Sequence, residues 1–550
     1  MPEERQQTAP FRRLWVGGCV FVAALVILGY GFEKPSIANA IPDPISRFRA
    51  QDEALYAHIA LHMARSGDWL TPHYLGRLLM YKPPLLAWLA GISVKVLGMS
   101  LFALRLPALL AGALGAVLIF AWPKRLGAGA IAALLLVSDP LWHTFSRLCQ
   151  TDILHAAFLT AAMFCLAFDP KLCKRSSFWA LALLSALGIM VKSVSGLLAP
   201  LALLVYWAMA RKDERPTGRR LLGLLLAIGA LAAPWHVYQL IVHAKWFWAD
   251  YVQYQLLSYG VRPPSQVSSD GAAIFYLRRL WLADPVLCLL ALLAVPWFAQ
   301  AVWRRTSPHT AVLAAWIAVE AAALLLFQYH SVHYAVALVP PLCLIAGQFR
   351  PLTNARVRAV VGIALCGLFV AKVTYPGTWW LPYGREAPNP AVAALRKYYE
   401  RDRGNGLILV QPDDGLYASA LPGLDVRYCF IDPAGPRNFP WHFRYLGIVL
   451  TAGSLTGTEA RNQYLKRLAD WGVQSGQPIG SVIIARGKED ILTLARARPE
   501  SDFLLPSGWR DTAEEMAQSG HDLVSADGQA VLLLARKGVP AVHPELPRYW

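Results

Sequence analysis

Long apolar runs dominate the first two-thirds of the chain, and polar clusters punctuate them. From Leu14 to about Tyr375 these runs recur with lengths of roughly 17 to 25 residues, enough for a helix to cross ~30 Å of hydrocarbon. Spans are expected near 14–30, 104–121, 128–143, 153–168, 177–191, 194–209, 221–238, 285–303, 309–327, 334–348 and 359–376, about eleven crossings in all. The pattern then changes. Segments 407–412, 445–450 and 481–485 read as strands and alternate with helical periodicity at 459–471 and 488–498. The fold class is therefore an α-helical polytopic membrane protein, residues 1–376, followed by a soluble α/β domain, residues 377–550. No phosphate loop or dinucleotide fingerprint follows the strands, so the second domain carries no readable chemistry.

The stretch Pro83–Gly98 tests this scheme. It is apolar enough to be counted as a crossing, but it is short and contains Lys95. Counting it would reverse the side on which every later basic cluster falls. Arg12-Arg13, Lys124-Arg125, Lys171 with Lys174-Arg175, Arg211 to Arg220, Arg304-Arg305, and Arg350 with Arg356 and Arg358 all become cytoplasmic only if it is left out. It is read instead as a helix in the outer interface. Beside it, residues 53–65 form a second helix with Leu55, Ile59 and Met63 on one face. The first outer loop then runs from about 31 to 103, too long for a mere connection. The N-terminus lies inside and the C-terminal domain outside. Ala38-Asn39-Ala40 imitates a signal-peptidase site, but Glu33, Lys34 and Pro35 separate it from the apolar run, which reads as an uncleaved anchor.

Composition adds limits. With 56% hydrophobic residues, 16% charged and a mean hydropathy of +0.38, the chain is too apolar for a string of soluble domains. The formal charge of +17 could suggest nucleic acid, yet the basic residues sit in short clusters between apolar runs, and topology accounts for them. Of the eight cysteines only Cys429 falls in the C-terminal domain, which cannot close an internal disulfide.

The chosen topology has a consequence. Asp52, Glu53, Lys82, Asp152, Lys192, His236, His330, His333 and Tyr334 all come to the outer ends of their helices. Ionisable groups at membrane depth are costly and commonly mark a site, although a single lysine or histidine can simply snorkel to the headgroups.

The first loop reads Asp52-Glu53-x-x-Tyr56, Gly67-Asp68-Trp69-x-x-Pro72 and Tyr81-Lys82-Pro83-Pro84. It resembles the first loop of the GT-C superfamily of polyprenyl-phosphate-sugar glycosyltransferases, which includes the protein mannosyltransferase families, and in particular the lipid A aminoarabinose transferase family with its DE-x-x-Y, GDW-x-x-P and EKPP pattern. Weaker matches are Arg147 with Thr151-Asp152, Val191-Lys192-Ser193 in place of TKG, and Pro234-Trp235. The resemblance covers roughly residues 10 to 350 and implies a GT-C-like fold. It also implies a multi-pass protein of the bacterial inner membrane with a periplasmic site. Its partners would be a polyprenyl-phosphate-sugar donor such as undecaprenyl phosphate, a lipid A or other envelope acceptor, and the bilayer, but no nucleic acid.

Such a donor is both lipid and anion, so its enzyme needs a carboxylate near the anomeric carbon and cations on the departing phosphate. By resemblance Asp52 is the catalytic carboxylate, with Glu53 and Asp152 as further acidic candidates. Lys82 is the first choice for the phosphate, with Lys192 and Arg147 next. Tyr56, Tyr81, His330, His333 and Tyr334 are candidates for lining the sugar or lipid pocket. Blander readings stand beside these. Asp52 or Glu53 would cap an amphipathic helix well, as Asp152 would cap an apolar one, and Lys82 could be an interfacial anchor. No cofactor is required, and His330-x-x-His333 lacks the nearby acidic ligand that a divalent metal would need. Three departures bear on sugar and acceptor: Tyr81 stands where the family has glutamate, Ser193 where it has glycine, and the segment after Trp248 lacks the expected Glu-His. A flippase for lipid-linked sugars, or transfer to protein or O-antigen, are the alternatives; no internal repeat of the transporter kind is visible.

Overall fold

The computed structural model describes residues 3–30, 46–74, 77–98, 100–123, 126–258, 271–327, 330–374, 407–410, 426–431, 482–485, 488–527 and 530–535. The expected strand at 445–450 and helix at 459–471 lie outside these residues, as do Lys124 and Arg125.

The membrane part is a helical bundle. Its elements are α1 (Glu3–Gly29), α2 (Ser46–Ser66), the hairpin β1 (His73–Tyr74) and β2 (Arg77–Leu78), α3 (Leu85–Leu97), α4 (Leu101–Ala121), α5 (Leu126–Ser138), α6 (Pro140–Phe145), α7 (Thr151–Phe168), α8 (Arg175–Lys192), α9 (Leu198–Met209) and α10 (Gly218–Val242). After a π-helical segment, Trp248–Ser258, come α11 (Ala272–Ala283), α12 (Pro285–Trp303), α13 (Pro308–Leu326), α14 (Val339–Ala346) and α15 (Ala355–Thr374). Among the described residues six helical stretches are long and apolar enough to cross a membrane by themselves: 102–121, 151–168, 175–209, 218–242, 285–303 and 308–326. Their outward faces carry Leu226, Ile241, Leu292 and Leu326, all more than half exposed, the apolar surface that lipid covers.

The stop signals are local. Ser100, Thr217 and Ser307 accept backbone N–H bonds at the starts of α4, α10 and α13, and Pro308 takes the first turn of α13. The apolar run at 128–143 is broken because Asp139 accepts from the Trp142 N–H and Pro140 opens a new helix, so α5 ends at Ser138. Similarly, 334–348 divides into a 3-10 turn, Val332–Leu338, and α14, whose Pro340-Pro341 supply no backbone donors. Between these helices the packing is close. A Cβ on Gly115 of α4 would come within 2.4 Å of the Trp142 ring, which is fully buried there.

Segment 83–98 is helical from Leu85 to Leu97, and 13 residues span only about 20 Å, too short for the bilayer core. Lys95 lies over the Trp69 ring, 5.3 Å from its centre. Toward the C-terminus β3 (Leu407–Val410), β4 (Val426–Ile431), β5 (Val482–Ala485), β6 (Asp502–Pro506), β7 (His521–Asp527) and β8 (Ala530–Ala535) form one sheet in the order β5-β4-β3-β6-β8-β7. The first four are parallel and β8 runs antiparallel to both β6 and β7. Helices α16 (Lys488–Ala497) and α17 (Arg510–Gln518) bury Ile491, Leu494, Ala513 and Met516 on Ile408, Phe503 and Leu533.

Candidate functional site

The first loop is fastened to the bundle end by hydrogen bonds. The Leu70 carbonyl accepts from Trp235 Nε1 at 2.9 Å and Gln239 Nε2 at 2.6 Å, both on α10. Just before Lys82, the Met80 N–H donates to the buried Asp250 carboxylate at 3.0 Å, tying the strand exit to the π-helical segment. Tyr81 is buried, Lys82 partly so, and Pro83-Pro84 lead directly into α3.

The acidic pair is divided. Helix α2 begins at Ser46, so Asp52 and Glu53 sit inside it and neither caps it, correcting the capping expectation. The Asp52 side chain lies outside the described residues. Glu53 is 2% exposed and grips the guanidinium of Arg105 with both oxygens, Nε to Oε1 at 2.6 Å and Nη2 to Oε2 at 3.0 Å. Its Oε1 also accepts the Cys149 N–H at 3.0 Å. Glu53 therefore clamps α2 to α4 and to the turn before α7. Tyr56, one turn beyond Asp52, is buried.

A second cluster gathers where α7 begins and α8 ends. Lys192 Nζ donates to Asp152 Oδ1 at 2.5 Å, with both side chains buried, and lies 4.8 Å from the centre of the Tyr334 ring. The Asp152 carboxylate thus serves Lys192 and not the helix start, another correction to the capping expectation. His333 and Lys82 are both within electrostatic reach of Asp152. His333 Nδ1 meets Ser331 Oγ at 2.7 Å, and its ring lies 4.4 Å from Tyr334. Ser193 follows Lys192 with φ 56 and ψ −125, a backbone conformation that favours glycine, the residue the resemblance expects there. Its hydroxyl donates to Tyr251 Oη at 2.9 Å, and His236 Nε2 meets the same oxygen at 2.8 Å.

The structure thus brings Lys82, Asp152, Lys192, His333 and Tyr334 together. Glu53 is held elsewhere, on Arg105, and two further candidates have other neighbours. His330 packs against the rings of Phe275 and Tyr276, at 5.6 and 5.8 Å. Arg147 is buried lower in the turn, donating to the Tyr30 carbonyl and facing His143 Nε2 at 3.3 Å. Burial, and then the Arg105 cation, pull its guanidinium below the usual arginine range. Among the described residues no three His, Cys, Asp or Glu side chains gather as metal ligands would. The sequence reading missed Arg105, Asp250, His155 and Glu320. Arg105 and Glu320 had a visible signal, as single charges inside apolar runs.

An apolar helical bundle with a cationic and acidic cluster at one end defines a polytopic membrane protein with a polar site at the bundle mouth. Its fold is that of ArnT from Cupriavidus metallidurans. The apo crystal structure of that protein matches at TM-score 0.63 and 16% identity, covering 94% of this chain and 97% of that one. Its structure bound to undecaprenyl phosphate matches at TM-score 0.64 and 16% identity, covering 96% and 99%. Residues 81–238 match the family model of dolichyl-phosphate-mannose-protein mannosyltransferases. The chain is 28% identical over 294 residues to the undecaprenyl phosphate-alpha-4-amino-4-deoxy-L-arabinose arabinosyl transferase 1 of Sodalis glossinidius, covering 48% of each. It is 30% identical over 220 residues to the corresponding transferase of Pectobacterium atrosepticum, 37% of this chain and 38% of that one. The matched regions span about half the length of these curated relatives or less.

Proposed function

We propose that the chain is a membrane glycosyltransferase that moves a sugar from a polyprenyl-phosphate donor to lipid A or another cell-envelope acceptor at the outer face of a bacterial inner membrane. The observation that carries this reading is the buried Lys192–Asp152 pair, with Lys82 within electrostatic reach of it, at one end of a bundle with the fold of an undecaprenyl-phosphate-binding protein. The names of the arabinosyl transferase relatives support the same class.

In this reading the N-terminus is cytoplasmic, about eleven helices cross, and the site and residues 377–550, a soluble α/β domain, are periplasmic. Asp52 acts as general base toward a hydroxyl acceptor, or orients a phosphate acceptor that is already ionised. The acceptor oxygen attacks the anomeric carbon as the bond to the donor phosphate breaks, with inversion, and polyprenyl phosphate leaves. Lys82, with Lys192 behind it, holds the charge that develops on that phosphate, and such stabilisation is commonly the largest catalytic term. Tyr56, Tyr81 and Tyr334 line the approach.

Purified protein given an undecaprenyl-phosphate sugar and lipid A should release undecaprenyl phosphate, and Asp52→Asn should abolish release while the protein still folds. Normal turnover by that variant would sink the assignment. The mannosyltransferase match at 81–238 favours protein as a second acceptor class, so the same assay is run with envelope protein in place of lipid A.

A further inference from the structure

Two ionisable side chains with no role in the scheme above lie in the bundle beside Lys192. His155 follows Asp152 by three positions on α7 and so occupies the same face, one turn further into the helix. It is 3% exposed, and among the described residues neither ring nitrogen has a hydrogen-bond partner. Glu320 is the only acidic residue of α13, 2% exposed, and its Oε1 has no partner. It sits six residues before the end of α13 at Leu326, about 9 Å along the axis. Both residues feel the charge of Lys192, and His155 also feels Asp152 and Lys82. The Lys192 ammonium is therefore bonded to Asp152, and within its electrostatic reach lie an imidazole and a carboxyl group with unused hydrogen-bonding capacity.

Buried polar atoms without partners are costly, most of all in apolar surroundings. Among the described residues none partners these three atoms, which points to a group from outside the chain. Position narrows its identity. A lipid phosphate resting on Lys82 and Lys192 carries its next substituent toward the groups that border those cations, and in a lipid-linked sugar that substituent is the sugar. Water alone would satisfy the atoms, but it gives the pair no reason to adjoin the phosphate-facing cations. The inference rests on the glycosyltransferase reading above. We propose that His155 and Glu320 form the subsite that hydrogen-bonds the donor's sugar, Glu320 accepting from a hydroxyl or amine and His155 engaging a second polar group. The pair thereby sets which sugar is taken.

The test compares binding of undecaprenyl phosphate alone with binding of undecaprenyl phosphate bearing aminoarabinose, glucose or mannose, using the full-length protein. Wild-type protein should prefer one sugar-bearing lipid. Glu320→Gln and His155→Asn should each weaken that lipid roughly tenfold or more, while the bare lipid changes less than about threefold. The two substitutions lie on different helices, so either one that folds carries the test. Equal weakening of bare and sugar-bearing lipid marks a water-filled structural cavity and overturns the subsite. Unchanged binding of the preferred lipid, or no preference in the wild type, overturns it as well. Failure of wild-type protein to bind any of these lipids counts against the glycosyltransferase reading itself, a separate outcome.

Discussion

Removing the Glu53 carboxylate separates a structural acid from a catalytic one. Glu53 makes two bonds to Arg105 and one to the Cys149 N–H, all without solvent. In Glu53→Gln one amide oxygen remains to accept, and the buried Arg105 guanidinium loses the charge of this carboxylate. Breaking a buried pair from one side costs about 3–5 kcal/mol, and a lost bond to a backbone N–H adds about 1 kcal/mol. Thermal unfolding in a fixed detergent at a fixed scan rate should therefore show a fall of about 5–10 °C. The paired replacement Glu53→Leu with Arg105→Met removes both charges and should recover most of that loss, since a well-packed apolar pair commonly equals a buried ion pair. Turnover should follow the folded fraction in all three proteins. A Glu53→Gln protein with unaltered unfolding and abolished turnover would refute this reasoning and return Glu53 to the chemistry.

The Lys192–Asp152 pair obeys the same logic. Lys192→Met alone should destabilise by about 3 kcal/mol, and adding Asp152→Asn should restore most of it in a double-mutant cycle; additive losses would contradict the pairing. Ser193→Ala should cost about 1 kcal/mol through the lost bond to Tyr251, whereas Ser193→Gly offsets that loss by relieving a positive φ, so unfolding should rank glycine above alanine. Burial and then His73 push the His62 imidazole below its usual range, with Asp68 opposing them. Its folded pKa is depressed, so its stabilising contribution is present above about pH 6.5 and fades as pH falls below that. His62→Gln should flatten the acid side of a stability profile of the intact protein, and an unchanged profile would exclude His62 as the titrating group.

The bundle was legible because an apolar run of about 20 residues has few other uses. At 83–98 charge and length point the same way: only with this segment outside the count do the basic clusters agree, and α3 has 13 residues, about 20 Å. Helix breaks were harder to read. Asp139-Pro140 and Pro340-Pro341 are recognisable stop signals, yet both lie inside continuous apolar runs whose length suggested single spans. The Asp152, Lys192, His333 and Tyr334 positions were identifiable as charges or rings at helix ends, but pairings between helices leave no trace in one sequence. Glu53 shows this best. Its neighbour Asp52 and the family pattern suggested a joint chemical role, while its partner, Arg105, stands 52 residues away inside an apolar run. Local capping preference was also overridden at Asp52 and Glu53, because α2 starts six residues before Asp52.

The arrangement of cations bears on how the proposed donor would be held. Lys192 is already bonded to Asp152 at 2.5 Å and rests on the Tyr334 ring, so its charge is largely answered. A phosphate arriving there must share the ammonium with a carboxylate, and in a buried site that repulsion is poorly screened. Arg147 lies buried in the turn before α7, with its Nη1 on the Tyr30 carbonyl and facing His143 Nε2. Lys82 is partly solvent-accessible and sits on a loop fastened by Asp250, so a phosphate reaches it from the bundle end at less desolvation. On the proposed reading the phosphate therefore rests chiefly on Lys82, while Asp152 fixes Lys192 as a positioned second charge that strengthens only as the leaving group gains negative charge. Such a division favours the transition state over the resting donor, which is what catalysis by binding requires.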